Sequence, residues 1–228
     1  MIFDNSSNAF ESEKERNLYY KIFAGYLLNE LIPGYQDRLQ SLCNLINNPA
    51  DRGKAAPKSM LKLDPNKTHV SFDNHIYLFF PNSNRGEFAD VLIHDELNRT
   101  IVTIEVKLHS NWSYDKDILS NKERLRLIQQ SLPQIHLFPI LLVSHSRWEN
   151  AKRMESHQYS NYIKFRDKPD CPFIVILWEQ LLDIIDNPDV RKFLVSQLYR
   201  DKGIGYEFAR GWFKQKPLKY HNNPKLVI

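Results

Sequence analysis

The chain has few cysteines, few glycines and no long hydrophobic segment. Cys43 and Cys171 are its only cysteines and have no motif spacing, which argues against a disulfide framework and fits a reducing cytosol. Seven glycines among 228 residues exclude a collagen-like chain. The longest apolar run, residues 135–143, is far shorter than the ~20 residues of a membrane helix. The early acids Asp4 and Glu11 do not fit a secretory signal. We therefore expect a soluble cytoplasmic protein with no membrane partner.

Several sequence motifs that are typical of enzymes are also absent. The eight histidines lack the i, i+4 or paired-cysteine spacing of a zinc site. There is no Gly-x-Ser-x-Gly elbow, which disfavours a typical serine hydrolase. There is also no Gly-x4-Gly-Lys loop of the kind that holds nucleoside triphosphates.

Positive charge is concentrated in two stretches, although the formal net charge is only +4. Residues 200–228 contain seven Lys and Arg against two acids. Residues 51–67 contain five Lys and Arg against two acids. Basic clusters of this kind suit a polyanion such as nucleic acid. A solvated surface with a basic tail would give the same composition, so charge alone does not decide.

The first part of the chain has helical periodicity. Apolar residues at three- and four-residue spacing predict helices over 13–32 and 36–46, and Pro33-Gly34 ends the first. The inward residues of the first helix are Leu18, Tyr19, Ile22, Phe23, Tyr26, Leu27 and Leu31. Residues 47–68 contain prolines and many lysines without periodicity, which predicts a long loop.

From residue 69 the pattern changes to short strands mixed with helices. Alternation predicts strands at 69–72, 75–80, 87–94 and 100–108, and continuous apolar runs predict buried strands at 135–143 and 173–178. Helices are predicted at 114–131, 147–158, 179–185 and 190–199. The core side of the helix at 114–131 would carry Ile118, Leu125, Ile128 and Leu132.

This order predicts an α/β fold with a mixed central sheet flanked by helices on both faces. We expect one domain over residues 1–200, with N-terminal helices at 13–46, the loop at 47–68 and the core at 69–200. Residues 201–228 would form a basic C-terminal extension.

Two of the predicted strands form a hairpin that carries an unusual pair of acids. Residues 96–99 form the polar turn, and pairing of Asp95 with Thr100 would place Asp90 directly opposite Glu105. Alternation would place Glu105 and Lys107 on one face, away from the core.

Like charges directly opposite each other destabilise a sheet, so this pair of acids needs a compensating group. A divalent cation is the simplest one, because Mg²⁺ prefers oxygen ligands and typically uses one or two carboxylates. Mn²⁺ would serve as a substitute for Mg²⁺. A cation with Lys107 beside it suits phosphodiester hydrolysis, in which a water must be activated and phosphate charge neutralised. The alternative is a surface-exposed pair, Glu105 and Lys107, on an edge strand.

The residues Ala89-Asp90, a gap of fourteen residues and then Glu105-Val106-Lys107 resemble the signature of the PD-(D/E)XK nuclease superfamily. The order of elements over residues 13–185 is similar to the restriction-endonuclease-like fold of that superfamily, and residues 173–182 are similar to a late strand of several members. The resemblance implies that Asp90 and Glu105 bind Mg²⁺ and that Lys107 assists hydrolysis of nucleic acid. Ala89 stands where the signature has Pro, at a position that contributes no ligand.

The resemblance also implies supporting residues on other elements. Many members have an acid on the first helix, where Glu15 continues the inward stripe and Glu11 and Glu13 are alternatives. An acid in the first turn of a helix is also favourable without any such role. Members often have Gln or Lys on the helix after the signature, and here Lys122, Arg126 and Gln129 are candidates for nucleic-acid contacts or ordinary exposed residues.

Bases alternate with aromatic residues in the tail, where Arg210, Lys214 and Lys216 are further candidates for nucleic-acid contacts. Packing of an ordered terminal strand would explain the same aromatic residues.

The leading hypothesis is a Mg²⁺-dependent nuclease that acts on DNA rather than RNA, with a homodimer as the form that cuts both strands. The second hypothesis is a non-cleaving protein on the same fold that binds nucleic acid or a partner. The third is an interaction protein whose hairpin acids are merely exposed.

Overall fold

Six strands form one mixed sheet in the computed structural model, which describes residues 16–75, 87–108, 120–145, 148 and 168–198. The strands are β1 (Asp51–Arg52), β2 (Thr68–His75), β3 (Glu87–Asp95), β4 (Thr100–Lys107), β5 (His136–Val143) and β6 (Ile174–Leu177). Their order across the sheet is β1-β6-β5-β4-β3-β2. The central pairs β4/β5 and β5/β6 are parallel, and the three outer pairs are antiparallel.

Helical segments cover both faces of this sheet. They are α1 (Tyr20–Leu27), α2 (Tyr35–Asn47), α3 (Ser120–Ser131), α4 (Trp178–Leu181) and α5 (Pro188–Leu198). Residues 16–19 are α-helical, and α1 continues them as a π-helix in which the Leu28 N–H donates to the Phe23 carbonyl at 2.8 Å. Among the described residues no helix has both the length and the apolar character needed to cross a membrane.

Two hydrophobic cores lie on opposite faces of the sheet. The larger core joins α1, α2, α4 and α5 to side chains such as Val102, Ile104 and Val106 of β4. The smaller core packs Leu125 and Ile128 of α3 against the other face. These two cores confirm the predicted α/β arrangement, because a sheet that is apolar on both faces must be covered on both.

The first helix ends earlier than predicted. Helical structure ends at Leu27, and Leu31, which was expected to face inward, is 87% exposed. The backbone carbonyls at the end of the helix and in the following turn accept hydrogen bonds from a side chain, rather than from the backbone N–H groups of a continued helix. Arg38 of α2 donates to the carbonyls of Tyr26, Asn29, Ile32 and Pro33.

Two further details of the prediction are wrong. Residues 68–75 form one strand, β2, rather than two, because Asn74 pairs with Ala89 across the position predicted as a break. Leu132 is partly exposed because α3 ends at Ser131. Residues 76–80 of the predicted second strand lie outside the described residues.

The predicted long loop contains one short strand. Asp51 and Arg52 pair with Val175 and Ile174 at the edge of the sheet, a match too short to show periodicity in the sequence. After β1 the chain runs from this edge to β2 at the opposite edge, so residues 53–67 cross the whole sheet. The predicted helix at 147–158 falls almost entirely outside the described residues, and the tail at 201–228 does so entirely.

Candidate functional site

The hairpin formed by β3 and β4 has the predicted register. Asp95 pairs with Thr100, and the pairs continue in step to Val91 opposite Ile104. Residues 96–99 form the turn. Asp95 itself is fully buried and accepts hydrogen bonds from the Asn98 N–H at 2.9 Å and the Asp64 N–H at 2.6 Å.

Asp90 departs from the regular hairpin. Its Oδ2 accepts a hydrogen bond from the Val106 N–H at 2.6 Å, so the carboxylate replaces a main-chain acceptor at this end of the ladder. Ala89 and Val91 would share a face in a regular strand, yet they pack in cores on opposite faces. The simple opposition predicted for Asp90 and Glu105 is therefore corrected: the Asp90 carboxylate binds at the peptide that joins Glu105 to Val106.

Glu105 and Lys107 lie together on the face opposite Val106, as alternation predicts. The Lys107 Nζ is 2.8 Å from Glu105 Oε1, and the two side chains are 13% and 17% exposed. Their strand, β4, lies between β3 and β5 rather than at an edge. These positions contradict the alternative of an exposed charge pair on an edge strand.

A small pocket opens beside Glu105, between the sheet and α3. It is lined by Ala89, Thr103, Glu105, Asn121, Leu125, Ile140 and Phe173. Asn121 is 6% exposed, and its Oδ1 is buried without a hydrogen-bond partner. Leaving a buried acceptor unpaired costs about 1–3 kcal/mol, which makes this oxygen the least satisfied polar atom of the pocket.

A second buried acid lies at the same end of the sheet, where the central parallel strands finish. Parallel pairing places Lys107, Val143 and Leu177 side by side, so β4, β5 and β6 end together. Just beyond β6, Glu179 is 2% exposed and accepts a hydrogen bond from the His145 N–H at 2.8 Å. Burial raises the pKa of Glu179 to about 7, although this hydrogen bond opposes the shift. Ligands of α/β sheets commonly bind at the carboxyl ends of strands.

Asn121 and Glu179 were missed as candidate residues by sequence reasoning, although each had a weak signal. Asn121 precedes the inward residues Leu125 and Ile128 by one and two helical turns. Glu179 directly follows Trp178 at the end of an apolar run, where a charged residue is unexpected unless it has a partner.

The three candidates on α3 make local contacts. Lys122 forms an ion pair with Asp170, and Arg126 forms one with Glu123 at 2.7 Å. Gln129 is exposed and lies 3.3 Å from the carbonyls of Pro133 and Ile135, near the start of β5. The helix therefore brings Asn121, rather than Gln129, to the pocket beside Glu105.

The remaining candidates fall outside the described residues. They are Glu15 with its alternatives Glu11 and Glu13, and the tail residues Arg210, Lys214 and Lys216. Their roles remain predictions from the sequence.

The side chains near the end of β4 fit a small divalent cation. Asp90 and Glu105 supply carboxylates, and Asn121 supplies a neutral oxygen that has no other partner. Within the described residues no three His, Cys, Asp or Glu side chains group together as metal ligands. Mg²⁺ does not need three, because it typically binds one or two carboxylates and completes its octahedron with waters and phosphate oxygens.

Comparison with known proteins gives no match: no protein-family model, curated protein or solved structure corresponds to this chain. The resemblance to the PD-(D/E)XK signature therefore rests on the hairpin residues themselves.

Proposed function

We propose that this protein is a Mg²⁺-dependent nuclease that hydrolyses phosphodiester bonds in nucleic acid, DNA rather than RNA, in the cytoplasm. The observation that carries the proposal is the gathering of Asp90, Glu105 and Lys107 at one end of β4. Lys107 and Glu105 are in direct contact, and the Asp90 carboxylate binds the peptide between them.

Asp90 and Glu105 would hold the cation. When bound, Mg²⁺ would act as a Lewis acid toward the phosphate and lower the pKa of a coordinated water. Lys107 would place its ammonium group beside the phosphate and stabilise the negative charge that develops there. Because Lys107 is held by Glu105 and is only 13% exposed, its charge is fixed in position before substrate binds. A homodimer would present two such sites to the two strands of a duplex.

One contact favours a second function. The ion pair of Lys107 with Glu105 neutralises that carboxylate, which is what a site without a cation requires. A non-cleaving protein that binds nucleic acid or a partner on the same fold would keep this pair. The experiment below separates the two functions.

The test is a cleavage assay with the full chain and Mg²⁺ on linear, circular and structured DNA and on RNA, with EDTA as the blank. We expect DNA cleavage that falls at least about 100-fold in Asp90→Asn, Glu105→Gln and Lys107→Met, because each change removes a fixed charge from the reacting centre. Asp90→Asn keeps an oxygen that can accept the hydrogen bond from the Val106 N–H. The fall in cleavage in this variant should therefore not come from unfolding.

Matched controls are Glu30→Gln and Lys192→Met, which alter exposed residues of the same types elsewhere in the chain. Both should cleave as the unaltered protein does. Cleavage that persists in Asp90→Asn and Lys107→Met would contradict the proposal. Tight DNA binding without product in the unaltered protein would favour the non-cleaving function.

A further inference from the structure

Asn121 is the most conspicuous polar residue that the proposed chemistry leaves unused. It lies in the first turn of α3, is 6% exposed and lines the pocket that also contains Glu105. Its Oδ1 is buried without a hydrogen-bond partner. An unpaired acceptor in such a position is costly, so it requires an explanation.

The pocket brings this oxygen into the same small space as a carboxylate. The walls contributed by Ala89, Leu125, Ile140 and Phe173 are apolar, and the single Thr103 hydroxyl that also lines the pocket does not pair with the Asn121 oxygen. The described partner of Glu105 is the Lys107 ammonium group, which contacts Oε1. Glu105 and the Asn121 oxygen are both acceptors, so a group that satisfies both must carry positive charge or donate hydrogen bonds.

We propose that Asn121 binds, through its Oδ1, the same divalent cation as Glu105, and that the pocket between β4 and α3 is where this cation lies. This inference rests on the proposed function and adds a third protein ligand to Asp90 and Glu105. A neutral amide oxygen completes the site without adding charge, which leaves two carboxylates to balance a divalent ion. The ligand class is a hard divalent cation such as Mg²⁺ or Mn²⁺, because the protein offers it carboxylate and amide oxygens.

The test measures Mn²⁺ binding to the full chain by electron paramagnetic resonance and titration calorimetry. The unaltered protein should bind one Mn²⁺. Asn121→Leu removes the oxygen at similar volume and should weaken binding at least about 10-fold, because loss of an outer-shell partner alone typically costs about 10- to 100-fold in metal affinity. Asn121→Asp keeps an oxygen ligand and adds a negative charge, so it should bind Mn²⁺ more tightly than the unaltered protein. Gln130→Leu, an exposed amide on the same helix, is the matched control and should change nothing.

Thermal melting separates ligation from a purely structural role. In EDTA, Asn121→Leu should melt no lower than the unaltered protein, because it replaces an unpaired polar group by an apolar one. Mn²⁺ should raise the melting temperature of the unaltered protein and have much less effect on Asn121→Leu. An asparagine that only supports the fold would give a lower melting temperature in EDTA and an unchanged response to Mn²⁺.

The outcomes distinguish this inference from the proposed function. If Glu105→Gln loses Mn²⁺ while Asn121→Leu binds it normally, the nuclease site stands and the role of Asn121 is overturned. Unchanged affinity in Asn121→Asp would also overturn it, since that result points to a water on Asn121. If the unaltered protein binds no Mn²⁺, the proposed function itself fails. Should Asn121→Leu not fold, the affinity of Asn121→Asp decides.

Discussion

Two buried carboxyl groups in this protein have pKa values shifted in opposite directions, because burial and hydrogen bonding are balanced differently at each. Asp95 and Glu179 are both buried, and burial alone raises the pKa of each. At Asp95 the hydrogen bonds from Asn98 and Asp64 outweigh burial, so its pKa lies below the usual value. At Glu179 the hydrogen bond from the His145 N–H does not outweigh burial, and its pKa is raised to about 7. Fewer donors and a larger effect of burial together give Glu179 the opposite sign from Asp95.

Glu179 should make the protein less stable as pH rises. Its pKa is about 7 in the folded state against an ordinary value of 4.5, so the folded state binds the proton more tightly. The stabilising contribution is complete below pH 4.5 and is lost as pH rises to about 7. Glu179→Gln keeps a neutral acceptor for the His145 N–H at every pH. We expect it to be more stable than the unaltered protein at pH 8, by on the order of 3 kcal/mol, and to have no advantage at pH 4.

Urea unfolding of both proteins between pH 4 and pH 8 measures this difference. Glu30→Gln, at an exposed position, should leave the pH dependence of unfolding unchanged. Parallel pH profiles for Glu179→Gln and the unaltered protein would contradict the assignment.

At the scale of the element, the edge strand β1 depends on a close backbone approach. The Gly53 N–H donates to the Phe173 carbonyl at 2.8 Å, just before β6 begins. A Cβ at Gly53 would lie 2.5 Å from the Cys171 carbonyl oxygen and 2.6 Å from its Sγ. The chain can run this close to Cys171 only because residue 53 has no side chain.

Gly53→Ala should therefore destabilise the fold by about 1–3 kcal/mol, the usual cost of forcing atoms into a packed region. Gly25→Ala is the matched control, since its Cβ would lie 3.6 Å from the Tyr20 carbonyl, an ordinary contact. Alanine in place of glycine within a helix should stabilise by about 0.5–1 kcal/mol. Chemical unfolding of the two variants should thus give shifts of opposite sign. Equal shifts would mean that the approach at Gly53 relaxes without cost.

The elements that the sequence predicts well are those in which apolar residues recur at a regular spacing. β4 was predicted to within one residue because Val102, Ile104 and Val106 alternate with polar residues, and α2 was recognised by its helical spacing. β1 was missed because a strand of two residues is too short to show an alternating pattern. The early end of α1 depends on Arg38, a residue of the next helix, so no local pattern reveals it.

The same distinction applies to the candidate site: contacts that follow from a repeating pattern were predictable, and contacts that depend on irregular or distant segments were not. Register and alternation correctly placed Glu105 beside Lys107, since both follow from the hairpin turn. The contact of Asp90 with the Val106 N–H was not predictable, because it arises where β3 leaves its regular alternation. Asn121 approaches Glu105 only through the packing of α3 on the sheet, a contact between distant parts of the chain.

At the scale of the whole molecule, the sheet has two different ends. The candidate site lies where β4 ends, at Lys107. The loop 53–67 passes the other end, where Ala55 binds Cys171 ahead of β6 and Asp64 binds Asp95 at the hairpin turn. Four exposed lysines of this loop therefore lie at the far end: Lys54, Lys58, Lys62 and Lys67. The eight residues of β4 separate the two ends by about 23 Å.

This separation predicts which basic residues contribute to binding at the candidate site. Each lysine that contacts a phosphate adds about 1 to the slope of log affinity against log salt. A duplex of about 6 base pairs spans roughly 20 Å, so one bound at the end of β4 should not reach the loop. We expect the double variant Lys58→Gln with Lys62→Gln to leave the affinity and salt slope of this duplex unchanged. Lys214→Gln with Lys216→Gln, at the predicted tail contacts, should lower the slope by about 2.

Fluorescence anisotropy of a labelled duplex across a range of salt concentrations measures both slopes, with EDTA present so that no cleavage occurs. A lower slope in the loop variant would show that the duplex binds at the far end of the sheet. In that case the hairpin acids would not be where nucleic acid binds, and the basic loop would have to be its site. An unchanged slope in both variants would instead place the phosphate contacts on residues other than these two basic stretches.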